Sequence, residues 1–235
     1  MTTIASNLQR VRERVTQACA QAGRHVNEVT LLAVSKTFGP DTVREAHAAG
    51  QTAFGENYIQ EAVEKMGLLA DLPLEWHCIG PIQSNKTRLV AAHFHWAHTV
   101  DRLKIAQRLS EQRPESLPPL QVCIQVNVDG GATKSGVAPA EAAALARAVS
   151  ELPRLRLRGL MTIPEPAESF DAQLAVHRRA RELFDALRAQ GLEMDTLSMG
   201  MTADLEAAVA AGSTMVRVGT AIFGGRAYAA TSSAA

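Results

Sequence analysis

Eight short apolar runs, each followed by a stretch with helical spacing, succeed one another along the chain. The runs span residues 29–36 (VTLLAVSK), 52–57 (TAFGEN), 74–80 (LEWHCIG), 95–100 (HWAHTV), 120–128 (LQVCIQVNV), 155–163 (LRLRGLMTI), 195–200 (DTLSMG) and 215–224 (MVRVGTAIFG). Strands alternating with helices read as βα units and a parallel sheet. An open doubly wound sheet also satisfies that alternation, but the count of eight favours closure into a (β/α)8 TIM barrel. The length of 235 residues suits one barrel, which takes about 200–250 residues. No linker or composition shift divides the chain, so residues 1–235 are expected to form a single domain. An amphipathic helix over residues 4–22 stands outside the eight units. The Ala- and Ser-rich end after about residue 228 is expected to fray. Asp41 is placed to cap the first barrel helix, with Gly50 to end it, and Thr202 to cap the seventh.

Lys plus Arg and Asp plus Glu are equal at 24 each, which offers no electrostatic footprint for nucleic acid or an anionic membrane. No apolar run approaches the roughly 20 residues that a membrane span needs, and the N-terminus has no secretory pattern. A cytoplasmic location is therefore expected. Cys19, Cys78 and Cys123 show no C-x-x-C spacing, and the last two sit in apolar runs as small buried hydrophobes. His93, His95 and His98 have the look of a metal cluster, with His93 and His95 placed to share a strand face. No matching cysteine or carboxylate completes a set of about four ligands. His77 reads as a satisfied interior histidine.

In a barrel, functional side chains gather at the C-terminal ends of the strands. Lys36 ends the first run, and strand alternation gives it the face of Leu32 and Val34, inside the barrel. A lysine there loses water, its pKa falls, and its neutral amine becomes a nucleophile toward an aldehyde. The competing reading is a strand-end lysine that reaches back into solvent. The loops after the last two strands, GMTAD and VGTAIFG, occupy the usual phosphate position of a barrel. Arg217 shares a face with Met215 and Gly219 and would point inward, where a buried arginine needs either an ion-pair partner or a ligand.

These residues lie in segments that resemble the pyridoxal-phosphate homeostasis protein family, whose fold is like the barrel domain of alanine racemases. The matching segments are LLAVSKTF, FGENYIQE, EWHCIGPIQSNK, TVDRLKIA, KSGV, GLMTIP and SMGMTADLEAAVAAGSTMVRVGTAIFG, from about residue 29 to 224. The resemblance implies pyridoxal 5′-phosphate (PLP) as cofactor, held as a Schiff base on Lys36. It places Asn57 near the ring, Met201, Thr202, Gly219 and Thr220 around the phosphate, and Arg217 at the pyridine nitrogen. Relatives more often carry Leu or His then Leu where Pro81 and Ile82 stand, and often a Glu where Gly131 stands.

An arginine stays charged and cannot take the ring proton, so at that position it would weaken the ring as an electron sink. Racemisation needs acid/base groups on both faces of the substrate carbon, and Tyr58 and Tyr228 are the only tyrosines here. The resemblance thus implies a protein of PLP homeostasis without robust turnover, and with no second domain to build a shared active site a monomer is expected. PLP-dependent apo-enzymes would be the recipients of its PLP. The alternative is a PLP-dependent amino-acid racemase or lyase.

Overall fold

A computed structural model describes residues 3–131 and 135–224. Eight strands close into a parallel barrel in the order β1 to β8, the last pairing with the first. They are β1 (Thr30–Val34), β2 (Ala53–Glu56), β3 (Glu75–Cys78), β4 (Trp96–Val100), β5 (Leu120–Gln125), β6 (Leu155–Met161), β7 (Thr196–Ser198) and β8 (Met215–Val218). Helix α1 (Ile4–Gln21) precedes them, and α2 (Pro40–Ala48), α3 (Ile59–Leu68), α4 (Thr87–His93), α5 (Leu103–Gln112), α6 (Pro139–Ser150), α7 (Phe170–Ala189) and α8 (Leu205–Ala210) connect them. A last short helix, α9 (Thr220–Phe223), follows β8. The expected (β/α)8 barrel with its extra N-terminal helix is what the chain forms. The stretch after residue 228 lies outside the described residues, as do Lys134 and Tyr228.

Strand alternation divides the apolar side chains into two cores. One lies between barrel and helices and includes Ala33, Phe54, Val122, Ile124 and Val216. The other fills the barrel itself: Leu32, Val34, Ala53, Ile79, Trp96, Cys123, Met161 and Met215. Parity thus sends Leu32 and Val34 inward, as expected. Cys78 and Cys123 are buried, and burial pushes both thiols up to about 12. Helix α1 buries Leu8, Val11, Val15, Ala18 and Cys19, a stripe at the 3–4 spacing of one helical face. That face packs on α8, α9 and α2.

Three local expectations need correction. The N-cap of α2 is Gly39, with Pro40 at the first helical position and Asp41 in the first turn. Proline's fixed φ suits that position, so the helix begins earlier than a cap at Asp41 allows. Helix α8 starts after Asp204 rather than after Thr202. Its approach is occupied by a turn in which the Met201 amide donates to Asp204 Oδ1 at 2.6 Å. His93 closes α4 and does not share a strand face with His95, which precedes β4. Gly50 does follow the end of α2, at φ +85°, where a side chain is strained.

Strands β5 and β6 change register between Val122 and Cys123, opposite Gly159. A Cβ at Gly159 would stand 1.6 Å from the Thr196 carbonyl oxygen. Gly159→Ala should therefore cost about 1–3 kcal/mol or more in denaturant unfolding, because backbone must shift. Gly67, in α3 with open space around its Cβ position, is the contrasting site. Gly67→Ala should leave stability unchanged or raise it by up to about 1 kcal/mol.

Candidate functional site

The turn after β1 is held from both sides of Lys36. Strand β1 ends at Val34, so Lys36 stands just beyond it in a turn, half-buried. Ser35 before it points outward, where its hydroxyl donates to Glu56 Oε1 at 2.6 Å. Lys65 of α3, itself buried, donates to the same oxygen at 2.6 Å and to the Ser35 carbonyl at 3.1 Å. Thr37 after it adopts a left-handed φ of +68°, rare for a β-branched residue, and its amide donates to Glu61 Oε1 at 3.1 Å. Three side chains from β2 and α3 thus fix the backbone flanking one lysine. Burial pushes the Glu56 carboxyl above its ordinary range, and Lys65 only partly opposes that.

Strand β2 continues into Asn57, whose Oδ1 is buried with no hydrogen-bond partner. Asn57 lines a cavity of about 200 Å³ with Ile79, Pro81, Thr99, Gln125, Ser135 and Ile163. Gly80 makes room for it: a Cβ there would lie 2.1 Å from the Asn57 carbonyl oxygen. All of these residues lie at or beyond the C-terminal ends of their strands, the end where barrel sites form.

Arg217 of β8 is buried inside the barrel. Its guanidinium donates to Ser198 Oγ at 2.8 Å and to the Thr162 carbonyl at 2.9 Å. Both of these partners are neutral, so among the described residues these hydrogen bonds are not an ion pair. Burial pushes it down to about 10, which leaves it charged at neutral pH. The Thr162 hydroxyl beside it is buried and unpartnered.

The loop after β7 passes through Gly200 at φ +94° to Met201 and Thr202. Arg14 of α1 holds it by donating to the Thr202 carbonyl at 3.0 Å while pairing with Glu206 at 2.9 Å. His177 of α7 holds it through Asp204 at 2.9 Å. Burial alone would raise the Asp204 carboxyl, but hydrogen bonds from His177 and the Met201 amide outweigh it and keep it low. After β8, Gly219 approaches Val34 so closely that a Cβ would meet its carbonyl oxygen at 3.2 Å. Thr220 then opens α9, whose first amides have no acceptor within the helix. The N-terminal helix reaches this loop as well, through Asn7, which donates to the Ile222 carbonyl at 2.9 Å.

Strands β7, β8, β1 and β2 are consecutive around the barrel. Their ends therefore bring Met201, Thr202, Arg217, Gly219, Thr220, Lys36 and Asn57 onto one arc of the rim. Asn127, just past the end of β5, uses both ends of its amide to hold its own loop at Gly130 and Gly131. A larger cleft of about 730 Å³ lies at the opposite end, against Arg156, Arg158 and Asp195. It holds none of these groups. Sequence reasoning placed Ser198 and Glu56 at strand ends without their partners, missed Thr162 and the pairing of Glu56 with Lys65, and treated His98 as part of a metal pattern. Among the described residues no group of three or more His, Cys, Asp or Glu side chains is placed to hold a metal ion. His98 instead lies inside the barrel, bonded to His77 and Ser198. Among the described residues no helix is long and apolar enough to cross a membrane.

The comparisons give the class. Residues 4–227 match the alanine racemase N-terminal domain family. Alanine racemase from Clostridium difficile, at 15% identity, superposes with a TM-score of 0.72 over 92% of this chain and 57% of its own, a likeness of fold. The narrower kinship is with the pyridoxal phosphate homeostasis proteins, and the chain belongs to that family. The Pseudomonas aeruginosa member is 61% identical over 99% of this chain and 100% of its own length. That of Escherichia coli K12 is 54% identical over 97% and 99%. PipY of Synechococcus elongatus, solved with PLP bound, is 37% identical over 94% of this chain and 100% of its own, with a TM-score of 0.83.

Lys65→Met would strand the Glu56 carboxylate in the interior. It should cost about 3–5 kcal/mol at pH 7. Because the Glu56 carboxyl is raised in the folded state, its contribution to stability is full at acid pH and is lost as pH rises through the raised value. The deficit of Lys65→Met should accordingly shrink toward pH 5 in urea titrations. A deficit independent of pH would show that Glu56 does not carry it.

Proposed function

We propose that this protein binds PLP in the C-terminal mouth of the barrel, with its aldehyde joined to Lys36 as a Schiff base, and serves PLP homeostasis rather than turnover. The observation that carries this reading is the buried Arg217, a cation inside the barrel with only neutral hydrogen-bond partners. A buried charge whose hydrogen bonds go to neutral groups, with Asp204 acting on it only from a distance, is costly, and a ligand bearing a phosphate dianion and an unprotonated ring nitrogen supplies both an anion and an acceptor. The unpartnered Asn57 Oδ1 and Thr162 Oγ1 are further polar atoms awaiting a ligand in the same mouth. Membership of a family whose named members are homeostasis proteins, and the likeness to PLP-bound PipY, support the same reading.

In this reading each residue has one task. Lys36 supplies the amine, held between Ser35 and Thr37. Asn57 packs at the ring. The amides and side chains of Met201, Thr202, Gly219 and Thr220 receive the phosphate. Arg217 donates to the ring nitrogen and, by staying charged, keeps that nitrogen unprotonated. PLP supplies an electron sink to amino-acid chemistry when its ring is protonated, so this contact suppresses carbanion chemistry. PLP-dependent apo-enzymes are the recipients this reading assigns to the held cofactor, and the chain works as a cytoplasmic monomer.

Protein incubated with PLP should gain a near-visible absorption band. Borohydride should then fix a mass increment on the Lys36 peptide, and Lys36→Ala should lose both. An increment on another lysine instead would overturn the assignment. Incubation with L-alanine or L-serine, followed by analysis of the enantiomers, separates the racemase alternative. Turnover on the order of 1–10³ per second would replace the homeostasis reading with an enzyme.

A further inference from the structure

A column of polar side chains crosses the barrel core from one mouth to the other. Arg217 donates to Ser198 Oγ at 2.8 Å, and Ser198 Oγ lies 3.0 Å from His98 Nδ1. His98 Nε2 lies 2.9 Å from His77 Nδ1, and His77 Nε2 lies 2.8 Å from Glu75 Oε1. Ser198, His98 and His77 are fully buried, whereas the Glu75 side chain is 49% exposed. Glu75 begins β3, so it opens at the N-terminal mouth, opposite the cofactor rim.

The chemistry of the two ends fixes the direction of every bond between them. Arginine can only donate, so Ser198 accepts from it and turns its own proton to His98 Nδ1. His98 is then an acceptor at Nδ1 and a donor at Nε2. That makes His77 an acceptor at Nδ1 and a donor at Nε2, to a carboxylate. Both imidazoles are neutral, and each carries its proton on Nε2. The reverse order requires a protonated Glu75, because otherwise two lone pairs face each other at the 2.8 Å contact. Burial, and after it the nearness of His77 and of the Arg217 charge, hold His98 well below its ordinary range. Burial holds His77 down too, against the pull of Glu75. The hydrogen bond from His77 keeps Glu75 below the usual carboxylate range.

We infer that Glu75 is a positioning residue for the cofactor ring, its carboxylate setting the polarity of a hydrogen-bond relay through His77, His98 and Ser198 to Arg217. The inference rests on the proposed contact between Arg217 and the PLP ring. Hydrogen bonds in a chain polarise one another inside a low-dielectric core, so a change at Glu75 reaches the donor that faces the ring. The groups facing the column are few. His95, exposed, accepts from the Trp76 amide near Glu75. Trp96 stacks on His77 at 5.2 Å and carries Arg158 on its ring at 4.7 Å. Asp204 and Cys123 act on Arg217 from further off, and Arg113 acts on His95. Asp195, at the same mouth, pairs with Arg158 at 2.7 Å and is not part of the relay.

Two measurements test the relay. Nitrogen-15 NMR of histidine-labelled protein without cofactor should show His77 and His98 neutral and protonated at Nε2 from pH 6 to 8. A proton on Nδ1 of either would overturn it. In PLP-loaded protein, Glu75→Gln should move the pH midpoint of the near-visible band by about half a pH unit, and Asp195→Asn should leave it in place. In a His98→Asn background, Glu75→Gln should have no further effect. An unmoved midpoint in Glu75→Gln overturns the relay, as does an equal shift with His98 replaced or with Asp195→Asn. A wild-type protein that gains no band refutes the PLP reading instead, and the histidine spectra still decide the column.

Discussion

A guanidinium inside a closed barrel is the constraint around which this structure is arranged. Taking a charge out of water costs several kcal/mol even after relaxation, and Arg217 pays that cost where its two bonds go to a hydroxyl and a carbonyl. The interior that surrounds it combines the buried polar groups Ser198, His98 and His77 with apolar Met161, Cys123 and Met215. In the proposed reading the guanidinium offers a donor where the cofactor's ring nitrogen is to sit, so that fold stability and ligand affinity would meet at one side chain.

The other elements of the rim serve geometry. Buried Lys65 and Glu56 secure Ser35, and Glu61 secures Thr37, so Lys36 is carried by a backbone with little freedom. The helix outside the barrel pattern has a comparable role. Through Arg14 and Asn7, α1 holds the loops after β7 and β8, which links a helix at the start of the chain to the proposed phosphate grip near its end. Rigid positioning of this kind places groups for binding without supplying a base on each side of a substrate carbon.

Much of this was legible in the sequence because it follows from period and parity. Eight βα units, inward Leu32 and Val34, and an inward Arg217 all derive from local spacing. The rim loops were legible from their place after the last two strands. What escaped depended on register between strands. His77 and His98 meet only because β3 and β4 align His77 with Trp96, and no reading of either strand alone pairs them. Ser198 looked like one more strand-end residue, and Lys65 like one more helical lysine, since its partner Glu56 lies on another element. The helix starts at Asp41 and Thr202 were misplaced because Pro40 and the Met201–Asp204 turn occupy those positions.

The most direct test is a crystal structure of the protein soaked with PLP. The account predicts density continuous with Lys36 Nζ, the phosphate against the loops after β7 and β8, and the Arg217 guanidinium about 2.7–3.2 Å from the ring nitrogen. An empty mouth with Lys36 turned to bulk solvent, or a ring bound with Arg217 still committed to Ser198 and Thr162 alone, would contradict it.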